Sequence, residues 1–115
     1  MKKQNSKKAA NLLSFDDLAE IVKRKIASKE KGSYSYEIAK QGVEKITRKI
    51  GEEALEVVIA AFLNQQKSSK KLHQELVGEL CDLFYHSMIL MAAQGVEMQE
   101  ILQEFTKRNN KKSKK

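Results

Sequence analysis

The sequence predicts an all-α fold, an antiparallel bundle of four to five helices. Three observations carry that expectation. The 115 residues include no proline and five glycines, which favours long helices over a turn-rich β fold. Apolar residues recur at spacings of three and four over long segments, the period of an amphipathic helix. No segment alternates convincingly with period two, so no sheet is expected. The length suits one domain, and 41% hydrophobic with 32% charged residues suits a globular chain rather than a disordered one.

The first helix is expected from about Phe15 to Ser28. Ser14 and Asp17 make a variant capping box, and Phe15, Leu18, Val22 and Ile26 follow at helical spacing. Lys29 to Ser35 is a polar break containing Gly32. A short helical piece, Tyr36 to Gln41, meets Gly42, a residue suited to kink or end it. The clearest helix runs from Val43 to Leu63, with Val43, Ile46, Ile50, Ala54, Val57 and Ala61 as its core stripe. Asn64 to Ser69 reads as a loop whose Ser69 caps the next helix. That helix runs from about Lys70 to Gln94 and stops at Gly95. A last helix, about Glu97 to Arg108, carries Met98, Ile101, Leu102 and Phe105 on one side.

Charge divides the chain into three parts. The formal net charge is +7, but the ends hold most of the excess. Residues 1–8 carry four lysines and no acid, and residues 107–115 carry six basic residues and no acid, while the body between them holds 12 basic and 15 acidic residues. Residues 1–12 and 109–115 are therefore expected to be basic disordered tails around a domain at 13–108. A nucleic-acid-binding domain should be basic on its folded face, and this body is mildly acidic, so no specific nucleic acid is expected as a partner. No apolar run is expected to span a membrane. The basic start leads into no apolar signal core. Cys81 is the only cysteine, so no intramolecular disulfide forms, and a reducing, cytoplasmic setting is expected.

Two acidic pairs stand out, Glu53–Glu56 and Glu79–Asp82, each spaced i, i+3 so that both carboxylates leave one face of their helix. Glu52 adds a third carboxylate to the first pair. If the two helices pack antiparallel, four carboxylates converge. Hard cations such as magnesium prefer such oxygen donors and commonly bridge them to phosphates. For the first group, an ordinary solvated face with lysine partners fits as well, since Lys45, Lys49, Glu52, Glu53 and Glu56 share one arc. For the second group, Glu79 falls inside the stripe of Leu72, Leu76, Leu83 and Leu90, with Glu75, Asp82 and His86 along its edge. A bare carboxylate there costs several kcal/mol, so it needs a metal or a buried basic partner. His86 reads either as a ligand or donor to phosphate, or as a structural hydrogen-bonder. His73 reads as exposed, Phe84 and Tyr85 as packing residues, Met88, Met91 and Met98 as core filler, and Cys81 as a small buried hydrophobe. There is no P-loop, no HExxH and no CxxC motif.

The pattern ExxE, spacer, ExxD resembles that of the all-helical, MazG-like nucleoside-triphosphate pyrophosphohydrolases. Within them, the chain is similar to the phosphoribosyl-ATP pyrophosphatases. That similarity rests on Gly32-Ser-Tyr-Ser35, on the stretch Lys45 to Ala61 with its Lys-x-x-x-Lys-x-Gly-Glu-Glu core, on Glu79-Leu-Cys-Asp-Leu-Phe-Tyr-His86, and on Ala92-Ala-Gln-Gly95. It covers about residues 15 to 108. Two positions depart from the family pattern: Glu37 stands where a basic residue is usual, and Val96-Glu97 precede the last helix where a serine-like cap is usual. The resemblance implies hydrolysis of phosphoribosyl-ATP to phosphoribosyl-AMP and pyrophosphate, with magnesium held by Glu53, Glu56, Glu79 and Asp82. It implies that Glu52, Glu53 or Glu56 takes the proton of the attacking water, that Lys45, Lys49, Arg48 and His86 face the nucleotide, and that each site is built by helices from both subunits of a homodimer. Two other functions stay open: clearance of non-standard or deoxynucleoside triphosphates by the same fold, and a non-enzymatic, basic-tailed module that binds nucleic acid.

Overall fold

The computed structural model describes residues 11–111, so the charge runs expected to be disordered fall largely outside the described residues. Five helices follow one another, and no strand occurs among the described residues. Helix α1, Phe15–Ala27, starts where the Ser14 hydroxyl accepts the Asp17 N–H at 3.0 Å. Helix α2, Tyr34–Ala39, begins two residues earlier than expected, because the Ser33 hydroxyl caps it from within the presumed polar break. Gly42 then takes φ +96, a left-handed value that favours glycine, and ends the short helix where α3 begins.

Helix α3 spans Val43–Gln66, three residues beyond the expected Leu63, because the Asn64–Gln66 backbone keeps helical geometry and leaves only Lys67–Ser69 as a turn. Helix α4, Lys70–Gln94, opens on the Ser69 hydroxyl, which accepts the Leu72 N–H at 3.1 Å. It closes at Gly95, left-handed at φ +73, with the Val96 N–H donated back to the Met91 carbonyl at 2.8 Å. Helix α5, Met98–Asn110, runs two residues past the expected Arg108. It lacks a serine cap but not a cap. The Glu97 N–H donates to the Glu100 carboxylate at 3.0 Å, the acidic half of a capping box.

So short a turn between two long helices forces an antiparallel hairpin, and α3–α4 is the most extensive helix pair in the fold. The other three helices gather on the half formed by the start of α3 and the end of α4. There Val22, Ile38, Ile46, Met88, Ile89 and Met98 are buried together, with Leu18, Ile26, Ile50, Tyr85, Met91 and Ile101 packed around them. Lys23 ties α1 to the start of α5 through Glu97 at 2.9 Å.

The opposite half of the hairpin is uncovered, and several expectations of burial, there and elsewhere, change. Val43 and Ala61 of the expected α3 stripe are exposed, as are Leu102 and Phe105 of α5. Cys81 is exposed, not buried: it lies on the side of α4 turned away from the carboxylates. Helix α4 is also long and apolar enough, by length and composition alone, to cross a membrane. The sequence reading expected no such segment. The helix is apolar on two sides, one against its own bundle and one outward, and it carries Glu79 and Asp82, which a lipid interior disfavours.

Candidate active site

The antiparallel hairpin sets the two acidic pairs against each other midway along its length. One carboxylate oxygen from each of Glu53, Glu56 and Glu79 lies within 4.8 Å of the other two. Asp82, one turn along from Glu79, stands close enough for its charge to act on both Glu53 and Glu79. Glu53 is 7% exposed, Glu79 half-buried, and Glu56 and Asp82 open to solvent. The sites therefore grade from a buried floor on α3 to an open rim.

This geometry is costly for the protein on its own. A buried Oε1 of Glu53 and one of Glu79 have no hydrogen-bond donor, and unpaired buried polar atoms are rare because each forfeits its hydration. Burial pushes the Glu53 carboxyl above the usual glutamate range, and the charges of Glu56 and Asp82 add to it, against an opposing pull from Lys49. The Glu79 carboxyl is also raised, first by its hydrogen-bonding contact with Glu56, then by burial and by the neighbouring carboxylates. A lysine-paired surface does not account for the cluster: Lys49 pairs with Glu52 at 3.6 Å, not with Glu53. The donor set is all oxygen and anionic, which fits a hard divalent cation.

The other sequence candidates fall in different places. Glu52 is exposed, turned to Lys49, and outside the cluster of three. Lys45 and Lys49 are half-buried on α3, one to two turns before the glutamates, and the Lys49 charge reaches both Glu53 and Tyr34. Arg48 lies on the exposed side and pairs with Glu44 at 3.6 Å. His86 is buried, and both ring nitrogens are engaged within the chain, Nδ1 with the Asp82 carbonyl at 2.8 Å and Nε2 with the Tyr34 hydroxyl at 2.6 Å. His73 is exposed, and Met88, Met91 and Met98 pack in or against the core, as expected.

Tyr34 was missed as a site residue by the reading of residues alone. Its hydroxyl is pushed up, first by burial and further by the Glu53 and Asp82 carboxylates, while Lys49 opposes them. That couples it electrostatically to the cluster. The signal that pointed to it was its place in Gly32-Ser-Tyr-Ser35, one of the stretches that carry the family resemblance; taken without that resemblance, a tyrosine in a polar break reads as loop. An open groove of about 370 Å³ between α3 and α4 takes in three of the acids themselves, Glu56, Glu79 and Asp82, and runs on past Ile59, Leu63 and Gly78.

An all-helical hairpin with facing ExxE and ExxD pairs is the arrangement expected from the chain's resemblance to the all-α pyrophosphohydrolases. The chain belongs to the phosphoribosyl-ATP pyrophosphohydrolase family, whose model matches residues 15–109. It is 38% identical over 100 residues to the phosphoribosyl-ATP pyrophosphatase of Listeria innocua, an alignment covering 87% of this chain and 89% of that one. It is 36% identical over 93 residues to the phosphoribosyl-ATP pyrophosphatase of Ignicoccus hospitalis, covering 81% and 84%. It is also 49% identical over 81 residues to the histidine biosynthesis bifunctional protein HisIE of Oceanobacillus iheyensis; that match takes in 70% of this chain but 34% of the longer protein.

Proposed function

We propose that the chain cleaves phosphoribosyl-ATP to phosphoribosyl-AMP and pyrophosphate, in histidine biosynthesis, at a magnesium site formed by Glu53, Glu56, Glu79 and Asp82. The reaction is that of its family. The observation that supports the metal assignment is the pair of buried, donorless oxygens on Glu53 and Glu79 within a cluster of three carboxylates. Held by Glu53, Glu56, Glu79 and Asp82, magnesium would supply positive charge to offset the negative charge developing on the phosphates. The chain's own residues do the rest. Lys49 and Lys45, one to two turns before the glutamates on α3, take the phosphates, and one of Glu52, Glu53 and Glu56 takes the proton of the attacking water. Arg48, paired outward with Glu44, is the weakest of the basic candidates. The exposed thiol of Cys81, the only cysteine, fits a reducing cytoplasm.

The test is turnover of phosphoribosyl-ATP beside a panel of triphosphates, with magnesium and with chelator. Pyrophosphate release from phosphoribosyl-ATP, dependent on magnesium, is expected. Faster cleavage of dUTP or dCTP would instead favour clearance of non-standard nucleotides.

We also infer a homodimer. Leu55, Val58 and Phe62 are 60%, 48% and 66% exposed and lie together around α3, roughly opposite Glu53 at about 100° per residue. The radius of gyration is 16.8 Å, against about 13 Å for a compact chain of this length. An open hairpin with an apolar outer stripe fits a second copy packed along it.

The raised carboxyls set a stability signature. A carboxyl whose pKa is higher in the folded than in the unfolded chain favours folding while it is protonated. That contribution is fully present below the unfolded glutamate pKa and is lost as pH rises through the folded value. Glu53 and Glu79 therefore destabilise the metal-free protein near neutral pH. Glu53→Gln is expected to raise the metal-free Tm at pH 7.5 but not at pH 4, and magnesium is expected to raise the Tm of the parent chain only. Thermal unfolding followed by circular dichroism at both pH values, with and without magnesium, checks this.

A further inference from the structure

Two consecutive residues of α2 are bonded to two consecutive residues of α4. The Tyr34 hydroxyl meets His86 Nε2 at 2.6 Å, and the Ser35 hydroxyl meets the Tyr85 hydroxyl at 2.6 Å. Ser35 is fully buried and His86 nearly so, at 1% and 5% exposure, so neither bond is a surface accident. The roles at His86 follow from its partners. The Asp82 carbonyl can only accept, so Nδ1 carries the hydrogen and donates to it at 2.8 Å. In the neutral ring Nε2 is then an acceptor, and the Tyr34 hydroxyl donates. The Tyr34 ring stands edge-on to the imidazole, with centroids 5.5 Å apart.

His86 continues the face of α4 that carries Glu75, Glu79 and Asp82, at successive steps of four, three and four residues. It ends the acidic row on the side where Lys49 stands. Tyr34, 47% exposed, closes that side, while the groove lined by Ile59, Leu63 and Gly78 leaves the other side open. The chain Tyr34–His86–Asp82 thus joins the mouth of the site to the backbone of one of its four carboxylates.

We propose that Tyr34 is a positioning residue for the hydrolysis, acting through His86, and that His86 itself does not contact the substrate. The hydroxyl-to-imidazole bond holds the α2 wall against α4 and fixes the spacing between Lys49 and the Glu79–Asp82 row. This inference rests on the magnesium-site reading above.

Four variants and one control test it: Tyr34→Phe, His86→Asn, His86→Gln, the double variant Tyr34→Phe/His86→Asn, and Glu53→Gln. Asparagine keeps a donor near the place of Nδ1 but loses the link to Tyr34. Glutamine places an acceptor near Nε2 and keeps that link. Tyr34→Phe and His86→Asn are each expected to lower kcat roughly tenfold, a range that small misplacements of reacting groups reach, with KM changed less than twofold. The double variant is expected to be no worse than either single one, and His86→Gln to recover most of the loss. Imidazole ¹⁵N spectra of Tyr34→Phe are expected to show the Nε2 resonance moved and Nδ1 unchanged. Losses that add in the double variant, a His86→Gln variant as slow as His86→Asn, or a Tyr34→Phe variant with the parent kcat would each overturn the proposal. If Tyr34→Phe keeps the parent rate while Glu53→Gln is inactive, the positioning role alone fails. An active Glu53→Gln means instead that the magnesium-site reading has failed.

Discussion

Glu53→Gln is expected to reduce turnover of phosphoribosyl-ATP by about a thousandfold, and Glu79→Gln by a comparable factor, with the helical circular dichroism of both variants intact. A thousandfold corresponds to about 4 kcal/mol of barrier, within the scale on which fixed charges at a developing phosphate charge act. Glutamine keeps the size and shape of the side chain and removes one unit of negative charge. The metal loses a ligand charge, yet the floor of the site stays filled. Stability should not suffer, because the lost charge is one that its neighbours repel. Both carboxyls are raised by burial or by adjacent carboxylates, and each has a buried oxygen without a donor. The amide can donate to Glu56 or Asp82, so each variant is expected to be at least as stable as the parent without metal. Steady-state pyrophosphate release beside thermal unfolding measures the two effects together. Parent rates in both variants would remove the metal site from the mechanism.

That opposition of activity and stability is what separates this cluster from a solvated charged face. On a solvated face, glutamines at 53 and 79 change neither quantity much. In a buried Glu–Lys pair, removing one partner strands the other and costs several kcal/mol of stability. Here the lysine on hand, Lys49, is spent on Glu52 at 3.6 Å, and loss of the Glu53 charge leaves no cation stranded.

The helices were largely legible from apolar spacing and from their caps, because Ser14, Ser69 and Gly95 act through local hydrogen bonds that depend on sequence neighbours alone. The start of α2 was misplaced because Ser33 sits in a run of polar residues, where a cap and a loop look alike. The end of α3 was placed too early because Asn64-Gln-Gln66 lacks an apolar residue, though nothing in it breaks a helix. In the site, the i, i+3 acids were readable, since that spacing alone puts them on one face. Their convergence needed only that the two helices pair. The Tyr34–His86 bond joins residues 52 apart in sequence, and no local pattern announces it. Cys81 went wrong for a different reason. Apolar spacing says that a side chain wants cover, not which molecule supplies it.

That same ambiguity governs the stripe on α3. Phe62→Glu, combined with Val58→Glu, is expected to convert a dimer into monomers and to abolish turnover at low micromolar protein, although neither residue lies in the acidic cluster. Both side chains are about half exposed or more in the single chain, so the substitutions cost the isolated hairpin little. In a two-fold interface each substitution occurs twice, and a buried, unpaired charge costs several kcal/mol. Four such charges outweigh what an ordinary dimer gains on association, since about 4 kcal/mol already weakens a Kd a thousandfold. The activity loss follows if each site draws on both subunits. Sedimentation velocity beside turnover over a protein dilution series distinguishes the cases. A double variant that is monomeric yet fully active would show that one hairpin suffices for the chemistry, and a parent chain that is monomeric at tens of micromolar would leave the stripe on α3 without a second copy to cover it.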